Sequence, residues 1–206
     1  CTAKPLLAEE PMAKHTSFRI GGPADLMAMP QSEQELQQLL QRAGESKVPV
    51  TLIGNGSNLL VRDKGIRGLV IKLGNMLNDV VADGCTLTFG SGVSLAAASR
   101  KAAELGLSGM EFAVGIPGSI GGAVYMNAGA YDGQMKDVVT SVTVLDEAGD
   151  IRILGRDELD MGYRTSTVAK HNMIVLQVFI ELKAGDKEQI KDRMTQLSEL
   201  RKQKQT

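Results

Sequence analysis

Leu36, Leu39, Leu40 and Ala43 recur at helical spacing and predict an amphipathic helix with one apolar face. Ser32 supplies its N-cap, and Glu35 three positions later completes a capping box. Elsewhere the pattern shortens. Apolar, β-branched runs at 25–29, 48–53, 69–73, 138–145, 151–154 and 173–182 predict strands. Residues 79–82 and 86–90 predict a hairpin around Asp83-Gly84, and Leu59 to Val61 read as a strand resuming after a turn. Residues 94–105 are alanine-rich and helical, stopped by Gly106. A last stripe, Ile190, Met194, Leu197 and Leu200, predicts a helix over 189–203. Residues 1–11 show no periodicity and read as an arm, while the acidic run 157–160 reads as a solvated helix start. Strands and helices without regular βαβ alternation place the chain in the α+β class.

Composition narrows this only in part. At 206 residues and 43% hydrophobic, the chain has enough apolar material for one domain or two small lobes. The expected division is a first lobe with the arm over 1–73, a second over 74–185, and a connecting helix over 186–206. The 23 basic and 24 acidic side chains nearly cancel, so the totals give no argument for a nucleic-acid or anionic-membrane binder. An aromatic content of 3% without Trp leaves few base-stacking platforms. Two cysteines and two histidines give no disulfide framework and no zinc-ligand spacing, so no metal is expected. Cys85 reads as a small residue at a strand end, and His15 and His171 as structural or solvent-facing. No run approaches the roughly 18 apolar residues that span a bilayer, and the start lacks signal-peptide character. A cytoplasmic protein is expected, and because the chain begins with Cys, so is a longer parent.

Two glycine-rich stretches do not follow from periodicity. Residues 115–133 hold six glycines and one proline with almost no charge, a density that weakens regular structure unless a positive φ or a close approach requires it. Ile116 and Ile120 can anchor this segment and Pro117 restrict it, leaving a platform of exposed amides suited to a flat or phosphate-bearing ligand. A loop serving tight turns alone fits the same residues. The second stretch, Gly54-Asn-Gly-Ser-Asn58, follows a predicted strand. It is not a Rossmann fingerprint, because Leu59 holds the third-glycine position and no helix follows. No glycine run leads into Lys-Ser or Lys-Thr, so a Walker loop is excluded too. A turn donating hydrogen bonds to a pyrophosphate and an ordinary β-turn both remain open.

Five motifs then stand in order: Thr16-Ser-Phe-Arg-Ile-Gly-Gly-Pro-Ala24, Gly54-Asn-Gly-Ser-Asn-Leu59, Gly115-Ile-Pro-Gly-Ser-Ile-Gly-Gly-Ala123, Asn127-Ala-Gly-Ala-Tyr131 and Gly162-Tyr-Arg-Thr-Ser166. Together they closely resemble the UDP-N-acetylenolpyruvoylglucosamine reductases. The resemblance implies a two-lobed FAD-binding domain of the vanillyl-alcohol-oxidase / p-cresol methylhydroxylase type, with the flavin held between its lobes. It further implies NADPH as co-substrate, a UDP-sugar substrate, and reduction of UDP-N-acetylglucosamine enolpyruvate to UDP-N-acetylmuramate for peptidoglycan. Carried over by position, Gly54, Asn55, Gly56, Ser57 and Asn58 hold FAD together with Gly115, Ile116, Pro117, Gly118, Ser119, Gly121, Gly122 and Ala123, and Asn127 and Gly129 support them. Arg164 is implied to be catalytic, stabilising the charge that hydride addition leaves at C2 and its carboxylate, with Tyr163 facing substrate. The family's protonating serine and assisting glutamate belong to a C-terminal substrate-binding domain expected beyond Thr206. No proton donor is assigned here, and the 206 residues alone are expected to bind flavin without turnover.

Overall fold

The structure, a computed structural model, describes residues 6–74 and 77–204. The chain divides into two compact units, the first ending at Asn78 and the second starting at Asp79.

The first unit runs β1 (Leu7–Pro11), β2 (Pro23–Ala28), α1 (Glu33–Glu45), β3 (Val50–Ile53) and β4 (Ile66–Lys72). Its described strands form a sheet of order β1-β2-β4-β3. β1 is antiparallel to β2, and β4 lies parallel to both β2 and β3. Met12, Ala24, Met27, Ile53, Val61 and Val70 form one buried cluster. α1 starts where the cap predicts, with Ser32 Oγ accepting from the Glu35 amide at 3.2 Å. Glu35 turns its carboxylate to the Gln31 amide at 2.7 Å, one residue before the position a capping box uses. Leu36 and Ala43 are buried, whereas Leu39 and Leu40 are half-buried.

Two expectations change in this unit. Residues 7–11 of the predicted arm are a strand, because β2 supplies a partner that local periodicity does not reveal; residues 1–5 lie outside the described residues. The predicted strand at Leu59–Val61 is a loop instead. Val61 fills core space there, and Gly22 N–H donates to the Arg62 carbonyl at 3.0 Å, so the segment meets the 21–22 backbone without joining the sheet.

The second unit runs β5 (Val80–Asp83), β6 (Thr86–Gly90), α2 (Leu95–Glu104), β7 (Leu107–Ser108), α3 (Ile120–Tyr125), β8 (Gly129–Ala130), β9 (Gly133–Gln134) and α4 (Met135–Val138). It continues with β10 (Val139–Leu145), β11 (Ile151–Gly155), α5 (Thr167–Lys170), β12 (Ile174–Glu181), β13 (Lys183–Ala184) and α6 (Lys187–Lys204). An antiparallel sheet of order β11-β10-β12-β6-β5 forms its floor. Leu87 and Phe89 of β6, Val142 and Val144 of β10, and Val178 and Ile180 of β12 pack with Leu95, Ala98, Ile120 and Val124 from α2 and α3. α2 begins at the Ser94 cap and ends before Gly106 at φ +73°. On α6, Ile190 and Met194 pack with Ala103, whereas Leu200 at the end of the predicted stripe is exposed. Residues 156–159 form turns rather than a helix start, since Arg156 donates through Nε to the Val139 carbonyl at 3.0 Å and ties the segment to β10.

Candidate functional site

The 54–58 turn leaves the C-terminal end of β3, where Ile53 pairs with Lys72 and the Leu73 amide donates to the Ile53 carbonyl at 3.0 Å. Gly56 is buried at φ +64°, and a Cβ there would stand 2.0 Å from the His15 carbonyl oxygen. Glycine is therefore required at this position by the protein's own backbone. The Ser17 amide donates to the Gly56 carbonyl at 3.1 Å, so the first and second motifs meet here. Asn55 and Asn58 are exposed, while Gly54 and Ser57 are partly covered. His15 Nδ1 faces Lys72 Nζ at 3.2 Å, and Nε2 faces Glu10 Oε1 at 3.0 Å. The ammonium can only donate, so the imidazole proton sits on Nε2 and is donated to Glu10. That hydrogen bond, helped by Lys14 at 3.5 Å, holds the Glu10 carboxyl below its ordinary range against the opposing effect of burial.

In the second unit the 115–123 stretch ends in α3, a helix that glycine content argues against. Ser119 caps it by accepting from the Gly122 amide at 3.3 Å. The Ile120 amide donates to the Val93 carbonyl at 2.8 Å and the Gly121 amide to the Ser91 carbonyl at 3.0 Å. A Cβ on Gly121 would come within 2.6 Å of Ser91 Cβ, so this glycine lets α3 lie directly on the residue that follows β6. Gly118 has φ +121° and its carbonyl accepts from the Leu95 amide at 2.9 Å. The expected platform of bare amides is thus revised, since those of Ile116, Ile120, Gly121 and Gly122 are engaged within the protein. Gly122 differs from its neighbours: it is exposed, and a Cβ there would meet Ser119 Oγ alone, at 3.5 Å. Pro117 is exposed, Gly115 and Ile116 are half-buried, and Ala123 is buried. Ser91, beside Gly121, has a buried hydroxyl without a hydrogen-bond partner.

Beyond α3, Asn127 is buried at φ +42°. Its amide nitrogen donates to the Gly162 carbonyl and to Gln134 Oε1, both at 3.0 Å, and its oxygen accepts from the Lys136 amide at 3.0 Å. Gly129 pairs with Gln134, and a Cβ there would stand 2.8 Å from the Gly133 carbonyl oxygen. Gly162 and Thr165 close a two-residue turn with Tyr163 and Arg164 at its tip. Tyr163 is 95% exposed, and Arg164 is exposed with φ +57°. Ser166 then caps α5 and donates through Oγ to the Tyr125 carbonyl at 2.9 Å. One side of the arginine turn is fastened to Asn127 and the other to the last residue of α3.

The chain matches the family model described as FAD binding domain over residues 24–155. It is 50% identical over 212 aligned positions to the UDP-N-acetylenolpyruvoylglucosamine reductase of Agathobacter rectalis, covering 97% of this chain and 67% of that protein. The chain belongs to the UDP-N-acetylenolpyruvoylglucosamine reductase family. The Clostridium tetani member is 47% identical, over 95% of this chain and 64% of its own length. The chain therefore spans about two thirds of the length of the curated relatives it matches. A solved reductase of this family from Thermus caldophilus superposes with TM-score 0.82 at 34% identity, over 96% of this chain and 69% of that one. At fold level alone, 6-hydroxy-D-nicotine oxidase from Arthrobacter nicotinovorans (TM-score 0.64, 18% identity, 89% of this chain and 43% of that one) shares the architecture.

Within this family member, the second unit brings Gly115, Ile116, Pro117, Gly118, Ser119, Gly121, Gly122, Ala123, Asn127 and Gly129 onto α3 and its flanks, with Tyr163 and Arg164 on the adjoining turn. Gly54, Asn55, Gly56, Ser57 and Asn58 belong to the first unit. Two cavities of the second unit, about 410 Å³ beside Lys136 and Arg156 and about 310 Å³ beside Tyr131 and Leu197, are lined by none of these residues. Among the described residues no His, Cys, Asp and Glu group could hold a metal ion, and no helix is long and apolar enough to cross a membrane. Sequence reasoning passed over Ser91 and the Glu10–His15–Lys72 cluster. Nothing local marks Ser91, and His15 and Lys72 lie 57 positions apart.

Proposed function

We propose that this chain binds FAD on the 54–58 turn and the 115–123 segment, within a cytoplasmic enzyme that reduces UDP-N-acetylglucosamine enolpyruvate to the peptidoglycan precursor UDP-N-acetylmuramate with NADPH. The supporting chemistry lies in the residues. Gly122 offers backbone that a flat ligand can approach closely, and the unpartnered Ser91 hydroxyl lies in the same wall. The 54–58 turn presents Asn55 and Asn58 at the end of a parallel strand pair. FAD held there would supply hydride-transfer chemistry between NADPH and the enolpyruvyl group. Asn127 and Gly129 support the wall, and Tyr163 faces the substrate.

The observation that carries the reading is the placement of Arg164. A non-glycine residue held at φ +57° costs of order 1–3 kcal/mol and persists only where its surroundings fix it. Here Asn127 and Ser166 fasten both ends of the turn. A guanidinium so presented can bind the enolpyruvyl carboxylate in a forked geometry. As charge gathers at C2 and that carboxylate, its stabilisation exceeds that of the ground state, which is the condition for lowering a barrier.

The test is stopped-flow absorbance of the FAD-loaded enzyme. Flavin absorbance should fall with NADPH and recover on adding the enolpyruvyl sugar nucleotide. Arg164→Ala should leave FAD affinity and the first phase intact and slow recovery by about 10²–10³-fold, the usual loss for one preorganised donor. Equal recovery rates would remove Arg164 from the mechanism. The shared length, about two thirds of each relative, favours a second reading for these 206 residues expressed alone: FAD binding without turnover. Turnover by that polypeptide at the full enzyme's rate would rule it out.

A further inference from the structure

Beside the 54–58 turn, the first unit holds a cluster in which charges are matched unevenly. Lys72 is the last residue of β4 and pairs with Ile53, which immediately precedes the turn. Its ammonium donates to a neutral acceptor, His15 Nδ1. The nearby carboxylate of Glu10 is engaged by His15 Nε2 and by Lys14. Among the described residues Lys72 takes part in no ion pair. The His15 side chain is 10% exposed and that of Glu10 16%, so the acceptor holding the ammonium is itself held. His15 also touches the turn through its backbone, its carbonyl oxygen filling the place a Gly56 side chain would take. One residue thus fixes both the curvature of the turn and the position of the cation next to it.

The turn, Gly-Asn-Gly-Ser-Asn, carries no charge of its own, whereas a dinucleotide pyrophosphate carries about two negative charges. Hydrogen bonds between a charged donor and an anion are roughly twice as strong as neutral ones. A cation that, among the described residues, is held by a neutral nitrogen and by no carboxylate is suited to that task. We propose that Lys72 is the cationic contact for the pyrophosphate at this turn, and that His15, oriented by Glu10, is its positioning residue. The proposal rests on the FAD reading above and deepens it.

Fluorescence titration of the chain with FAD and, separately, with riboflavin, which lacks phosphate, tests both parts. Lys72→Met is expected to weaken FAD by about ten- to hundredfold, the range for one hydrogen bond to a charged group, and to leave riboflavin binding unchanged. Lys72→Arg should restore most of the loss. His15→Ala should weaken FAD in the parent and add little in the Lys72→Met background. His15→Asn should recover affinity, because its amide oxygen can take the place of Nδ1. Lys72→Gln replaces the Met variant if that one does not fold. FAD affinity within twofold of the parent in the Lys72 variant, or equal losses for FAD and riboflavin, would overturn the assignment while leaving the FAD reading standing. Absence of FAD binding by the parent would overturn both.

Discussion

Replacing Asn127 with alanine should loosen the arginine turn and lower stability together. The side chain makes three hydrogen bonds, to Gly162, Gln134 and Lys136, from a residue 6% exposed. Net contributions of about 0.5–1.5 kcal/mol each, discounted because Lys136 is exposed and its amide can turn to water, leave about 1–3 kcal/mol. Alanine at φ +42° adds about 1 kcal/mol that asparagine tolerates better. The expected total is about 2–4 kcal/mol, read as a fall in melting temperature of about 5–15 °C. Asn127→Gly loses the same hydrogen bonds without the left-handed strain and should melt above the alanine variant. Hydrogen exchange should show faster opening at the 162–165 turn in both. An alanine variant within about 0.5 kcal/mol of the parent, below the worth of a typical hydrogen bond, with unchanged exchange there, would refute the view that Asn127 fastens this turn.

Two further outcomes follow from the described contacts. The Glu10 carboxyl is held below its ordinary value of 4.5 by His15, so it contributes stability that is complete above that pH and is lost as pH falls through the lower folded value. Melting temperatures of the parent and Glu10→Gln should differ near neutrality and converge as the pH is taken below 4.5 through the lower folded value; a constant gap across that window would show that the interaction is not the source. Tyr131 donates to the Leu197 carbonyl of α6 at 3.1 Å, so Tyr131→Phe should cost about 0.5–1.5 kcal/mol in urea unfolding, and an unchanged midpoint would mean that water replaces the bond without loss.

Much of the fold is written locally. The caps at Ser32 and Ser94, the Gly106 stop and the Asp83-Gly84 turn act within a few residues, so periodicity and turn chemistry locate α1, α2 and the β5–β6 hairpin. α3 is illegible for a physical reason: Gly121 and Gly122 disfavour a helix, and what creates it is the Ser119 cap with the β6-side carbonyls of Ser91 and Val93. β1 depends likewise on a partner about twenty residues away, Leu7 against Met27. For the site, the motifs mark which residues matter but not how. Gly121 is read from sequence as part of a ligand platform and Gly56 as part of a turn, and in three dimensions their missing side chains make room for Ser91 and His15. Asn127 reads as one motif residue among several, and its hydrogen bond across 35 positions to Gly162 appears only in three dimensions.

FAD is proposed to lie against the backbone of the 115–123 segment, and Gly122→Ala tests this because folding and binding should move in opposite directions. The new methyl would meet ordinary contact with Ser119 Oγ alone, and alanine gains roughly 0.5–1 kcal/mol over glycine in a helix interior. FAD titration of the parent and this variant, with melting curves of both in the ligand-free state, is the measurement. The predicted result is a variant at least as stable as the parent that binds FAD about tenfold or more weakly, a loss of about 1.4 kcal/mol. Undiminished FAD affinity in a folded Gly122→Ala protein would contradict it.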